Sequence, residues 1–279
     1  MAALLPVGRQ EQTRTLQPSQ PVEVNAKHPG CDAIMCAFLP IMSPLGYDCV
    51  QHSKGAMHYG VDTYETRPGR FGKYFWTNYA PDDLRVSIQS RVLSELTMTS
   101  IVSISANPST DTVVFTGYGP GGAVIMTIKT DGTVKVSIHD YLGGDVMKHF
   151  TTTPTVPVGR LVVITATVTP TKTLTVFFNG LLVFSQASAV SSFIYGSVPL
   201  PGPGPRGYND AVYNGSTVEV YGVLANGVAL PDKVVEGVGN APWQLFAPIQ
   251  EPRLISLPIG PFVYARPTAD VADGLWTPS

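Results

Sequence analysis

Charge is scarce in this chain: Asp, Glu, Lys and Arg make up 14% of its 279 residues, against roughly 25% in an ordinary soluble domain. The deficit fits either an uncharged β protein or a surface partly covered by something else. The formal net charge is -2, and no run of like charges is longer than Asp82-Asp83. That excludes the electrostatic footprint of a nucleic-acid binder or of a protein held to an anionic membrane. Apolar runs are strand-sized, so none inserts across a bilayer. Ala2 to Val7 is too short for a signal-peptide core and is broken by Pro6, which predicts a protein that stays in a cytoplasm or leaves it by a route other than secretion.

Cysteine is scarce too. Cys31, Cys36 and Cys49 are three in number, an odd count whose spacing matches no metal knuckle. Reduced, buried thiols are expected, with Cys36 in an apolar run. A zinc site would have to recruit His28 or His52, and no tight ligand pairing points to one. A calcium site at Asp210 or Asp62 lacks the dense oxygen cluster that the ion wants. No cofactor is expected.

Motifs for catalysis are also missing. There is no Gly-x-Ser-x-Gly elbow and no phosphate loop. Gly119-Pro120-Gly121-Gly122 precedes a strand pattern rather than a helix, so it offers no helix N-terminus to phosphate. A glycoside hydrolase needs two carboxylates facing each other across a cleft. The nearest pair is Asp62 and Glu65, which a spacing of three puts on opposite faces of a strand. His139, Asp140 and His149 read as surface or loop residues. The chain is therefore expected not to be an enzyme.

Alternation of apolar and polar residues is abundant. Leu96, Met98, Val102 and Ile104 share one face of a strand, with Thr97, Thr99 and Ser103 on the other, as a half-buried strand requires. Around Asp131-Gly132, a three-residue loop Thr130-Asp131-Gly132 pairs Ile128 with Val134, Met126 with Val136 and Val124 with Ile138. All six apolar side chains then share a face, whereas a two-residue loop would scramble them. Val162 to Val168, Leu174 to Phe178 and Leu181 to Phe184 follow, the last two joined by Asn179-Gly180, a strong hairpin signal. Thr217 to Leu224 alternates again, and Leu230 to Val238 reads as one short helix. Residues 40–82 read as irregular, and 196–207 as a proline- and glycine-rich loop. Nine or ten strands and almost no helix predict an all-β protein of two stacked antiparallel sheets.

The proline-rich ends lack periodicity. Residues 1–25 and 247–279 read as an N-terminal and a C-terminal arm around a sandwich spanning 26–246. Such arms are held either by neighbours in an assembly or by their own domain.

Aromatic rings beside amides and carboxylates are the one pattern that points to a ligand, since a ring stacks on the apolar face of a sugar. Two loops carry it: Tyr74, Trp76, Asn78 and Tyr79 in one, and Tyr208, Asn209, Asp210 and Tyr213 in the other. The same residues also suit a protein interface.

The run Thr173 to Gly180 resembles the strand and hairpin of laminin-G-like and concanavalin A-like sandwiches. Asn240-Ala241-Pro242-Trp243-Gln244-Leu245-Phe246-Ala247-Pro248 is similar to the closing segment of laminin-G-like domains in tailed-bacteriophage proteins, and Val24 to Pro29 resembles their opening. The resemblance covers roughly residues 22–250. It implies a jelly-roll sandwich in a virion, assembled in the host cytoplasm. The implied protein decorates a capsid or sits at a collar or tail, and its arms attach it to other virion proteins (capsid, portal or tail) or to further copies of itself. The alternative is an adhesin that binds a host-surface glycan or receptor. Fold alone does not decide between them.

Overall fold

One hairpin forms in the register that its apolar pattern demands, and a second closes on the expected Asn179-Gly180 turn. In the computed structural model, which describes residues 16–41, 47–50, 53–54, 56–58, 65–76, 83–85, 93–119, 122–140, 146–190 and 217–249, Val124 pairs with Ile138, Met126 with Val136 and Ile128 with Val134. Gly132 closes that loop at φ 82°, a left-handed conformation that a bulged three-residue turn requires. Asn179 and Gly180 take φ 48° and 78°, the two positive values of a type I′ turn, and Phe178 pairs with Leu181 across it.

The strands in chain order are β1 (Val22–Val24), β2 (Ile34–Leu39), β3 (Tyr47–Asp48), β4 (Ser53–Lys54), β5 (Ala56–His58), β6 (Glu65–Gly69), β7 (Gly72–Trp76), β8 (Asp83–Arg85) and β9 (Leu96–Ile104). They continue with β10 (Thr112–Gly119), β11 (Gly122–Ile128), β12 (Thr133–Asp140), β13 (Val146–Thr155), β14 (Leu161–Val168), β15 (Leu174–Phe178), β16 (Leu181–Gln186), β17 (Val218–Asn226) and β18 (Phe246–Pro248). One α-helix, α1 (Asp232–Asn240), lies between short 3-10 turns at Pro29–Cys31 and Pro242–Leu245. Short strands therefore run through part of 40–82, where the sequence reads as irregular.

Ten strands make one large sheet, in the order β16-β15-β14-β9-β17-β2-β3-β4, with β7 joining β17 and β6 joining β7. A second sheet of four strands runs β10-β11-β12-β13, and the strand ladders of both are antiparallel. Met98, Val102, Ile164, Val176, Val220 and their neighbours on the large sheet pack against Val114, Val124, Met126, Val134, Val136 and Ile138 of the small one. This is an all-β jelly-roll sandwich of two stacked sheets.

The sandwich has a third layer. Ala37, Leu39, Ile101, Val163, Tyr221 and Leu224 on the outer face of the large sheet pack against Val22, Val238, Trp243, Leu245 and Phe246. Every residue of β9 is consequently buried, not half of them. Its hydroxyls are satisfied internally on both faces: Thr97 Oγ1 donates to the Val228 carbonyl at 2.8 Å and accepts from the Leu230 N–H at 2.9 Å on one, and Ser100 Oγ donates to the Val114 carbonyl of the facing sheet at 2.8 Å on the other. A buried hydroxyl costs stability unless it finds such partners.

β13 carries no apolar alternation strong enough to stand out, because it is an edge strand with one wet face and Pro154 in it. Proline is tolerated at such an edge. Where the β12–β13 register shifts, Thr152 Oγ1 accepts from the Val134 N–H and donates to the Pro154 carbonyl, replacing ladder bonds with side-chain ones.

Val22–Val24 pairs with Phe246–Pro248, and Gln17 is buried against the sandwich, so residues 16–24 lie on their own domain. Residues 1–15 and 250–279, the rest of both expected arms, lie outside the described residues, as does the loop 196–207.

Helix α1 rests directly on the Asn179-Gly180 turn: a Cβ added at Gly239 would stand 2.1 Å from the Gly180 nitrogen. At Gly237, exposed within the same helix, an added Cβ meets nothing within 4 Å. Gly239→Ala should therefore destabilise the fold by roughly 2–4 kcal/mol by prising the helix off the turn. Gly237→Ala should stabilise it by about 0.5–1 kcal/mol through helix propensity. Equilibrium urea unfolding of the two variants reads both signs.

Candidate functional site

The hairpin β6–β7 sets Glu65 opposite Trp76 and Arg67 opposite Tyr74. Alternation along β7 then sends Phe75 into the core, stacked on Phe38 with centroids 4.9 Å apart, and leaves Tyr74 and Trp76 on the other face. These two residues therefore stand on a strand that pairs with β17, not on a loop. Asn78 and Tyr79 of the same predicted site, all of Tyr208, Asn209, Asp210 and Tyr213, and Asp62 lie outside the described residues.

On that face the Arg67 guanidinium lies over the Trp76 ring, 3.2 Å from its centroid, while its Nε donates to Glu65 Oε1. The two charged side chains are 42% and 43% exposed. An ion pair so exposed contributes about 0–1 kcal/mol, and a cation over an exposed ring adds on the order of 0.5–1 kcal/mol. Arg67 is held in place rather than needed for the fold.

Beneath it, Tyr74 tilts against the buried Tyr221 with centroids 6.1 Å apart, and Phe71 meets Tyr221 edge-on at 5.9 Å. The Tyr221 hydroxyl donates to the Glu219 carboxylate. Burial, then the Glu219 hydrogen bond and charge, push the Tyr221 hydroxyl far above its ordinary range. Tyr74 is raised by burial and by the Glu219 and Glu65 charges, against an opposing pull from Arg67, so all three ionic groups converge on this ring.

The β17 bulge between Val220 and Gly222 is what brings Tyr221 here. It leaves Val220 and Val223 facing the inter-sheet core while Tyr221 and Leu224 face outward. Arg67, Phe71, Glu219 and Tyr221 escape sequence reading because nothing in a period-two pattern announces a bulge. The apolar spacing of three across Gly222 is its one trace.

As chemistry, the patch offers ring faces, a guanidinium and two carboxylates on rigid strands. Glu65 and Glu219 each already accept from a donor of their own chain, an arrangement for holding a surface in shape. His139, Asp140 and His149 sit on β12 and β13 rather than on loops. Asp140 is fully buried and pairs with Lys148 at 2.6 Å. His149 Nδ1 and Ser137 Oγ are 2.8 Å apart, but alternation along β12 puts Ser137 and Asp140 on opposite faces, so Asp140 does not orient the ring as a catalytic triad needs. His28 Nδ1 accepts from the Gly30 N–H at 3.0 Å and caps a 3-10 turn. Among the described residues no three His, Cys, Asp or Glu side chains gather as metal ligands.

No family model matches the sequence, and no curated protein matches it. Solved structures do match. The binding domain of Paraclostridial Mosquitocidal Protein 1 superposes with a TM-score of 0.56 at 14% identity, over 76% of this chain and 53% of that one. Domain 4 of AbnA, a GH43 extracellular arabinanase from Geobacillus stearothermophilus in complex with arabinotriose, gives 0.56 at 14% identity, over 74% of this chain and 98% of that one. The botulinum neurotoxin serotype D ligand binding domain in complex with N-acetylneuraminic acid gives 0.56 at 10% identity, over 77% and 52%. The chain thus spans about half the length of the toxin domains and nearly all of the arabinanase domain. At these identities the likeness is one of fold.

The three thiols are buried and unpaired by disulfides. Burial raises Cys31 from an ordinary 9.0 to about 11. Cys49 rises to about 12 through burial and the Asp48 charge. Cys36 is pushed well up by burial first, then by Asp48 and Cys49. Asp48 is itself buried and accepts from the Ala37 and Val50 N–H groups at 3.1 and 3.0 Å. A raised value in the fold means that the folded chain holds its thiol protons more tightly than the unfolded chain does. The associated stability is present below pH 9 and is lost as pH rises from the ordinary thiol value of 9.0 through 11 and 12. Urea midpoints should accordingly fall above about pH 9, and a disulfide-exchange reagent at pH 8 should titrate thiols only after unfolding.

Proposed function

We propose that the chain is a non-enzymatic carbohydrate- or receptor-binding module, an adhesin, and that it engages its ligand through the face carrying Arg67, Tyr74 and Trp76. The observation that carries this reading is a ring–guanidinium–carboxylate surface mounted on paired strands, where side chains are held better than on a loop. Aromatic rings supply stacking area for a sugar, and Arg67 and Glu65 supply directed hydrogen bonds. The matched folds support it, since they include a toxin binding domain and domains solved with arabinotriose and N-acetylneuraminic acid. Asn78, Tyr79, Tyr208, Asn209, Asp210 and Tyr213, the other residues of the expected contact set, lie outside the described residues.

A virion setting is the second reading: a bacteriophage structural protein attached to capsid, portal or tail subunits, assembled in the host cytoplasm. Leu181 and Leu182 favour it, standing 71% and 55% exposed on β16 at the end of the large sheet. An apolar sheet edge is a template for a neighbouring chain.

A glycan array probed with the full chain tests the first reading. Binding is expected, and Trp76→Ala should weaken it by about 10-fold or more while the melting temperature falls by no more than a few degrees. An empty array, or a Trp76→Ala chain that binds as well as the parent, overturns it. For the second reading, Leu181→Lys combined with Leu182→Lys should abolish incorporation into assembled particles while the chain stays folded.

A further inference from the structure

The face that carries Arg67, Tyr74 and Trp76 has more hydrogen-bonding capacity than the chain itself uses, and the surplus is of both kinds. Arg67 commits only its Nε, to Glu65 Oε1, and its two Nη groups donate to nothing among the described residues. Glu65 Oε2, Glu219 Oε1 and the Tyr74 hydroxyl likewise have no hydrogen-bond partner there. The register gathers these groups. Glu65 and Arg67 alternate along β6 opposite Trp76 and Tyr74 on β7, so all four share one face. Glu219 belongs with them, since its charge and those of Glu65 and Arg67 all act on Tyr74. Burial, with the two carboxylates, favours the protonated Tyr74 hydroxyl, which keeps it a donor. Arg67 is ordered in advance: its guanidinium carbon stands 3.2 Å from the Trp76 centroid and Glu65 fixes its Nε edge, so a ligand meets the Nη edge at little entropic cost.

Charge then selects among ligands. Two carboxylates against one guanidinium leave the group with an excess of negative charge at neutral pH. The hairpin's other cations do not correct it. Arg70 Nη1 is engaged at the Gly159 carbonyl at 2.9 Å, and Lys73 alternates to the face of Phe75. An acidic sugar would find the Arg67 fork but would bring its own carboxylate against Glu65 and Glu219, which have no proton to donate to it. The ammonium of an amino sugar suits the charge, yet it has no lone pair to accept from Arg67 or Tyr74. A hydroxyl both donates and accepts. Adjacent hydroxyls of an uncharged sugar therefore answer both kinds of group, one donating to Glu65 Oε2 and the next accepting from an Arg67 Nη group.

We propose that the ligand of this face is a neutral glycan, recognised through adjacent hydroxyl groups that span Glu65 and Arg67, and that acidic glycans are rejected by the excess carboxylate. The inference rests on the reading of this face as a sugar-binding surface and narrows that surface to one class of sugar.

The full chain on an array of neutral, acidic (sialylated and uronic) and amino-sugar glycans tests this, with hits carried into titration calorimetry. Neutral glycans should bind, and acidic glycans on the same core should bind about tenfold or more weakly. Affinity for the neutral glycan should hold between about 0.05 and 0.5 M salt, because no ion pair forms with the ligand. Glu65→Gln keeps an acceptor for Arg67 Nε and Glu219→Gln keeps one for the Tyr221 hydroxyl, while each removes a charge. Glu65→Gln should weaken neutral binding about fivefold or more, and both variants should raise acidic binding relative to neutral. Acidic glycans that bind as tightly as neutral ones, affinity that collapses with salt, or variants whose preference does not move overturn the inference and leave a sugar-binding module standing. An array blank in every class overturns the sugar-binding reading itself, and this inference with it.

Discussion

A sheet that is apolar on both faces must be covered on both, and the rest of this structure follows from that. β9, β14 and β17 run through the centre of the ten-stranded sheet, with Val162, Ile164 and Val220 turned to one side and Val163, Ile101 and Leu224 to the other. The four-stranded sheet covers the first side. The second is covered piecemeal by helix α1, the Pro242–Leu245 turn and the β1–β18 pair. The Trp243 segment is thus a packing device: Trp243 and Phe246 lie 6.3 Å apart, centroid to centroid, over the outer core.

The same outer layer carries the candidate site, and one irregularity links the two. A regular β17 would send Tyr221 and Val223 to the same face. The bulge instead turns Tyr221 outward and Val223 inward. From there Tyr221 supports Tyr74 and Phe71 through its ring, Glu219 through its hydroxyl and Gln17 through its carbonyl. Bulges re-aim side chains in this way and gather near functional surfaces. The ring-rich, charged face around Tyr74 and the buried Gln17 amide therefore share a foundation.

Legibility tracks the range of the interactions. The hairpin at 124–138 was readable to the residue and the turn of the one at 174–184 was readable too, because a tight turn and its flanking pattern lie within one short window; the bulge between Val176 and Phe177 was not. β13 was not, since an edge strand with exposed threonines has no burial to imprint a pattern on it. Part of the site was visible: Tyr74 and Trp76 stand out as aromatic residues, yet their place on a strand and the Arg67 cover on Trp76 depend on pairing with β6. Arg67 and Trp76 are nine positions apart, and only the hairpin register makes them neighbours. Gln17 and Tyr221 lie 204 residues apart, beyond the reach of any local rule.

By itself, the sequence determined the period, the turns and hence the class: alternating apolar side chains between Gly- and Asn-rich turns leave an antiparallel sandwich as the way to bury one face of each sheet. Tertiary structure decided which strands are buried on both faces, where β17 departs from its ladder, and that Val22–Val24 pairs with Phe246–Pro248. Turn chemistry and alternation are local backbone and side-chain preferences, so they are written in neighbouring residues. Coverage of an outer face and satisfaction of an interrupted carbonyl are demands of the folded whole, and they are met by whichever distant segment carries the fitting surface.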